Sequence, residues 1–118
     1  MRCFFCKLVR KLKMKPELES LQLLKNDEKQ RFELQNNGHI AFIDFEEKEH
    51  FIALVHTEAP EELQGTGTAV ALVEKTLQHI EKSGKKVMPY CPFVFAYIKK
   101  HPEWKHLVSE KFPGYGQL

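Results

Sequence analysis

The sequence predicts a small α+β domain, an antiparallel meander followed by helix–strand–helix on a mixed sheet. Two patterns carry that expectation. Between residues 31 and 56, three runs alternate apolar with polar residues and are separated by short turns, as strands of a half-buried sheet are. After Pro60 the period changes. Val70, Val73, Leu77 and Ile80 recur at helical spacing, and a strand-like run over 85–90 precedes a second helical run.

Taken in order, Met1–Met14 is expected to be a disordered basic extension, 15–110 a single domain, and 111–118 a loose tail rich in Pro113, Gly114 and Gly116. Leu18, Leu21, Leu23 and Leu24 mark a helical turn or a first edge strand. Arg31–Gln35 alternates as a strand, and Asn36-Asn37-Gly38 supplies a hairpin turn because Asn and Gly tolerate positive φ. His39–Glu46 alternates again, with a register change or bulge signalled around Ile43 and Phe45. The turn Glu47-Lys48-Glu49 leads to a third strand over 50–56. A polar loop, Glu61–Gln64, then opens a helix from about Gly67 to Ser83, stopped by Gly84. The strand over 85–90 ends at its prolines, and Pro92 suits the first position of a helix over 93–100. His101-Pro102-Glu103-Trp104 breaks that helix.

At 118 residues, with 42% hydrophobic content, the chain can enclose one core. Its net charge of +2 hides an asymmetry. Arg2, Lys7, Arg10, Lys11, Lys13 and Lys15 lie in a stretch without acids, which leaves 12 basic against 16 acidic residues elsewhere. A nucleic-acid binder carries its basic face on the folded part, so that class is not expected. Cys3, Cys6 and Cys91 form no paired framework, which favours a reducing, cytoplasmic setting. Cys3-x-x-Cys6 has the spacing of half a zinc site or of a redox pair, but no second Cys/His pair follows it and no strand–helix context surrounds it, so neither a metal nor a redox role is expected. No apolar run is long enough to span a bilayer, and no membrane partner is expected. The oligomeric state is left open.

Four groups of residues bear chemistry. Gln64-Gly65-Thr66-Gly67-Thr68-Ala69 lies between a strand and a helix. Backbone N–H groups at such a turn suit a phosphate, and the Thr66 and Thr68 hydroxyls could add donors. The same turn is equally consistent with a helix start that merely needs glycine. No Lys-Ser/Thr pair follows, which excludes a nucleoside-triphosphate loop, and the preceding meander excludes a parallel dinucleotide fold. Cys91 stands at a strand end before a helix, where it could act as nucleophile, as acid, or as a small buried residue. His56 and Glu58 end the central strand and could serve as a base, or His56 could simply cap a surface strand. Lys99, Lys100 and His101 could reach a coenzyme phosphate or complement a helix dipole. His79 is expected to be solvated on a helix face carrying Glu74, Lys75, Gln78, Glu81 and Lys82.

Together these residues resemble a small branch of the GNAT-type N-acetyltransferases, the minimal single-domain proteins of NATD type and their plant counterparts. The resemblance covers about residues 30–108. It rests on the Phe42–Phe45 strand, Val55-His56-Thr57-Glu58-x-Pro60-Glu61-Glu62-Leu63, the Gln64–Ala69 turn matching Gln/Arg-x-x-Gly-x-Gly/Ala, and Pro89-x-Cys91 followed by a helix ending in His101-Pro102-x-Trp104. It implies a GNAT-like mixed sheet and acetyl-coenzyme A held at Gln64, Gly65, Thr66, Gly67, Thr68 and Ala69. The thioester carbonyl is expected near the backbone at Glu58, with Cys91 as the suspected catalytic group and His56 or Glu58 as candidate base. Acetyl transfer to an amine acceptor would follow; a non-catalytic coenzyme A-binding or protein-interaction module is the alternative. The usual N-terminal substrate-binding helices have no counterpart in this sequence, which leaves the acceptor undefined.

Overall fold

The computed structural model describes residues 16–118, so the basic extension and the Cys3/Cys6 pair lie outside the described residues. A short helix, α1 (Pro16–Glu19), precedes an edge strand, β1 (Leu24–Asn26). The meander follows as β2 (Arg31–Asn36), β3 (His39–Glu47) and β4 (Phe51–Glu58). Helix α2 (Thr68–Ser83), strand β5 (Lys86–Pro89) and helix α3 (Pro92–Lys100) complete the order, with 3-10 turns at Glu61–Leu63, Pro102–Leu107 and Tyr115–Gln117. The sheet order is β1-β2-β3-β4-β5, with antiparallel neighbours except for the parallel β4–β5 pair. The expected mixed sheet is therefore present, and both readings of residues 18–24 hold, the turn and the edge strand.

Register separates the two sheet faces. Phe32 opposes Ile43, Leu34 opposes Ala41, and Phe45 opposes Leu54, all buried beneath α2. Arg31 opposes Asp44, Asp44 opposes His56, and Phe42 opposes Glu58, all on the other, open face. The register shift falls between Asp44 and Phe45. Phe45 pairs with Leu54 and Asp44 with His56, so the extra residue is Val55 on β4. The bulge thus sits on the strand opposite the residues that signalled it. It turns Thr57, paired with Ile43, back to the helix-covered face.

Helix α2 is covered more completely than its period suggests. Besides the apolar Ala71, Leu72, Val73, Leu77 and Ile80, it buries Glu74 completely. The Glu74 Oε1 accepts hydrogen bonds from the Tyr97 hydroxyl of α3 and from Trp104 Nε1, 3.3 Å away, while Oε2 accepts from Gln78 Nε2. Glu74 was expected on an exposed face. The 92–107 segment folds over that face and supplies donors that make burial of a carboxylate tolerable. His79 likewise departs from the expectation of a solvated side chain. It meets the Phe32 ring edge-on at 5.4 Å, and partial burial lowers its pKa.

The C-terminal segment is also packed. Phe112 is buried against Tyr90 and Phe95, and Lys105 Nζ donates to the Leu118 carbonyl while lying over the Tyr115 ring. The tail expected to be loose from its Pro and Gly content is held by its aromatic residues instead. His101–Trp104 ends α3 as expected, but the chain continues as the 102–107 turn, burying Trp104 and Leu107.

Candidate functional site

The Gln64–Ala69 turn begins where the 61–63 turn ends. Gly65 and Gly67 both hold left-handed φ, +77° and +82°, which an L side chain rarely adopts. Gly67 is the N-cap of α2 and, lacking a side chain, supplies no cap to the first turn. The N–H groups of Gly67, Ala69 and Val70 therefore have no acceptor among the described residues. They lie at the positive end of a 16-residue helix.

The two threonines play a different part from the one expected of them. Thr66 Oγ1 donates to the Leu63 carbonyl at 2.5 Å, and Thr66 and Thr68 hydroxyls are 2.6 Å apart. Asn36 Nδ2 at the end of β2 donates to Thr68 Oγ1 at 3.0 Å. The Thr66 and Thr68 amides point at Leu63 O and Thr66 Oγ1 respectively. Neither hydroxyl has a proton left for a phosphate. The threonines brace the turn from behind, and its outward donors are backbone groups alone.

Beside the first turn of α2, a groove of about 290 Å³ opens against α3, lined by Val70, Phe93, Ala96, Tyr97, Lys100 and His101. Its floor is apolar and aromatic, and Lys100 brings a cation to its edge. Of the three candidates Lys99, Lys100 and His101, the last two line this groove.

Cys91 is the N-cap of α3 and is 3% exposed. Its amide donates to the Leu54 carbonyl at 2.8 Å, fixing it beside β4, and its Sγ lies 3.2 Å from Thr57 Oγ1. Pairing between β4 and β5 ends at Leu54 and Pro89, whereas β4 runs on to Glu58 bonded to β3. The strands thus part beside Cys91 and leave the β5 side of residues 55–58 without a strand partner among the described residues.

His56 and Glu58 form a pair of their own. His56 Nε2 is 3.1 Å from Glu58 Oε1, and the two side chains are 56% and 63% exposed. Their cross-strand partners, Asp44 and Phe42, place them on the open face, whereas Thr57 and its neighbour Cys91 belong to the helix-covered side. The structure therefore brings Cys91 to Thr57 and His56 to Glu58, but sets the two pairs on opposite faces. Sequence reading missed Thr57, Asn36 and Tyr97. Thr57 had a signal in its position between the two singled-out residues of the strand end, and Tyr97 in falling on one helical face with Phe93 and Lys100.

Among the described residues no group of His, Cys, Asp and Glu could hold a metal, and no helix is long and apolar enough to cross a membrane. Residues 31–107 match the model of a family described as GCN5-related N-acetyl-transferase, from the first residue of β2 to the end of the 102–107 turn. No curated protein matches the sequence.

Proposed function

Because the chain belongs to the GCN5-related N-acetyltransferase family, we propose that it binds acetyl-coenzyme A and transfers the acetyl group to an amine. Within that family we assign it to the small single-domain branch that its 55–69 and 89–104 motifs resemble. The observation that carries this reading is the turn itself, with three backbone donors, free among the described residues, on Gly67, Ala69 and Val70 at the start of α2, where Val70 also lines an apolar groove edged by Lys100. That set fits a diphosphate with an organic tail. Gly65 and Gly67 let the backbone come close to it, Gln64 is the exposed residue that leads into the turn, and Thr66 and Thr68 hold the shape.

In the transfer, the amine nitrogen forms a bond to the thioester carbonyl carbon, the carbon–sulfur bond breaks, and one proton passes from nitrogen while another reaches the departing sulfur. His56, paired with Glu58, is the group we assign to the nitrogen's proton. Cys91, hydrogen-bonded with Thr57, is the group we assign to the sulfur's proton. Its burial favours an acid over an acyl carrier, which would need room for an added acetyl group. The parted ends of β4 and β5 would let an amine on the open face meet a thioester on the helix side.

Incubation with acetyl-coenzyme A and a panel of amines and peptides tests the reading. Release of coenzyme A that depends on an acceptor supports it. Binding of coenzyme A with no turnover across the panel would favour the non-catalytic module.

A further inference from the structure

We propose that Asn36, at the far end of β2, is a positioning residue for the coenzyme turn, acting through a hydrogen-bond chain of fixed direction. The inference rests on the coenzyme reading above. Its basis is a count of protons. The Leu63 carbonyl only accepts, so the single Thr66 hydroxyl proton goes to it. Thr66 Oγ1 can then only accept, and it receives the Thr68 hydroxyl proton and, at 3.3 Å, the Thr68 amide. With its own proton spent, Thr68 Oγ1 needs a donor from elsewhere, and the Asn36 amide nitrogen supplies it.

Thr68 is fully buried, so bulk water does not reach it as a substitute. The network also settles which way the Asn36 amide faces, since an acceptor there would meet an oxygen with no proton to give. The chain spans residues 36, 63, 66 and 68 and encloses Gly67, the N-cap with no side chain. An ordinary N-cap satisfies the first turn from in front and would occupy the donors a phosphate needs. Here the support comes from behind, and the front stays open. Asn36 thereby links the β2–β3 hairpin to the phosphate donors without touching the ligand.

The test replaces the donor while keeping size. Asn36→Asp presents only acceptors to Thr68, and Thr66→Val removes the middle hydroxyl, whereas Thr66→Ser retains it. Calorimetric titration with coenzyme A is expected to show about tenfold weaker binding for Asn36→Asp and Thr66→Val and near wild-type binding for Thr66→Ser. The Michaelis constant for acetyl-coenzyme A should rise while kcat holds. Faster hydrogen exchange at the Thr68 amide should accompany the loss. Wild-type affinity and exchange in Asn36→Asp would overturn the proposal. If Asn36→Asp fails to fold, equal affinity of Thr66→Val and Thr66→Ser overturns it instead. Failure of the wild type to bind coenzyme A sinks the functional reading and with it the role of Asn36 toward the coenzyme, whereas unchanged exchange in Asn36→Asp alongside normal wild-type binding sinks the hydrogen-bond chain alone.

Discussion

The glycine turn and the Cys91 corner lie at the same end of the sheet and are built on different plans. The turn is fixed before any ligand arrives, with two left-handed glycines, a hydrogen-bonded backing and three donors facing outward. The corner divides its groups, Cys91 with Thr57 on the helix side and His56 with Glu58 on the open face. On the function proposed above, binding needs one chain segment, whereas the chemistry needs two faces brought to a common point by the ligands. Damage should therefore separate cleanly into affinity at the turn and rate at the corner.

The largest effect expected is on rate. Cys91→Ala should lower kcat by about 10²-fold or more if the thiol supplies a proton, with coenzyme affinity unchanged. Unaltered turnover would remove Cys91 from the reaction and leave the turn's role intact. Next comes Gly67→Val, which forces a β-branched side chain into φ +82°. A strain of about 1–3 kcal/mol should appear as weaker coenzyme binding by titration. Gly84→Ala, at the same φ but at the other end of α2 with open space around it, is the control. It should lower the melting temperature and spare binding.

The two regions are joined by Glu74, which ties α2 to the Tyr97 of α3 and to Trp104. Glu74→Ala removes their common acceptor and should cost about 1–3 kcal/mol in denaturant unfolding. It should also disturb affinity and rate together, unlike either change above. The smallest effect is at the opposite end of the sheet. Hydrogen bonds from Lys25 and Lys85 hold the Glu47 carboxyl down from an ordinary 4.5 to about 2. A depressed carboxylate stabilises fully above its unfolded value, so this contribution is present above pH 4.5 and fades as pH falls from there towards 2. The ion pairs are partly exposed, so Glu47→Gln should remove under about 1 kcal/mol, seen only as a flatter acid limb of stability.

Much of this was legible in the sequence because it is written in local rules. Alternation in 31–56 and the 70-73-77-80 spacing gave the strands and α2, and the left-handed glycines at 65, 67 and 84 stand where a turn or helix end required them. What was hidden depends on contacts between distant segments. Glu74 looks solvent-facing until α3 and Trp104 are folded onto it. The hydroxyls of Thr66 and Thr68 look available until Asn36, thirty-two residues away from Thr68, is brought to them. The separation of His56 from Cys91 depends on the Val55 bulge, whose strand assignment needs the register of both partners. Spacing names residues at a strand end; only register says which face they share.

The most direct test of the central claim is a coenzyme A titration followed on backbone amide signals. The N–H resonances of Gly67, Ala69 and Val70 should move together and saturate, with smaller changes at the α3 residues lining the groove. Saturating binding that leaves those three amides unmoved, or no binding at all, would contradict the account of the turn as the coenzyme's phosphate site.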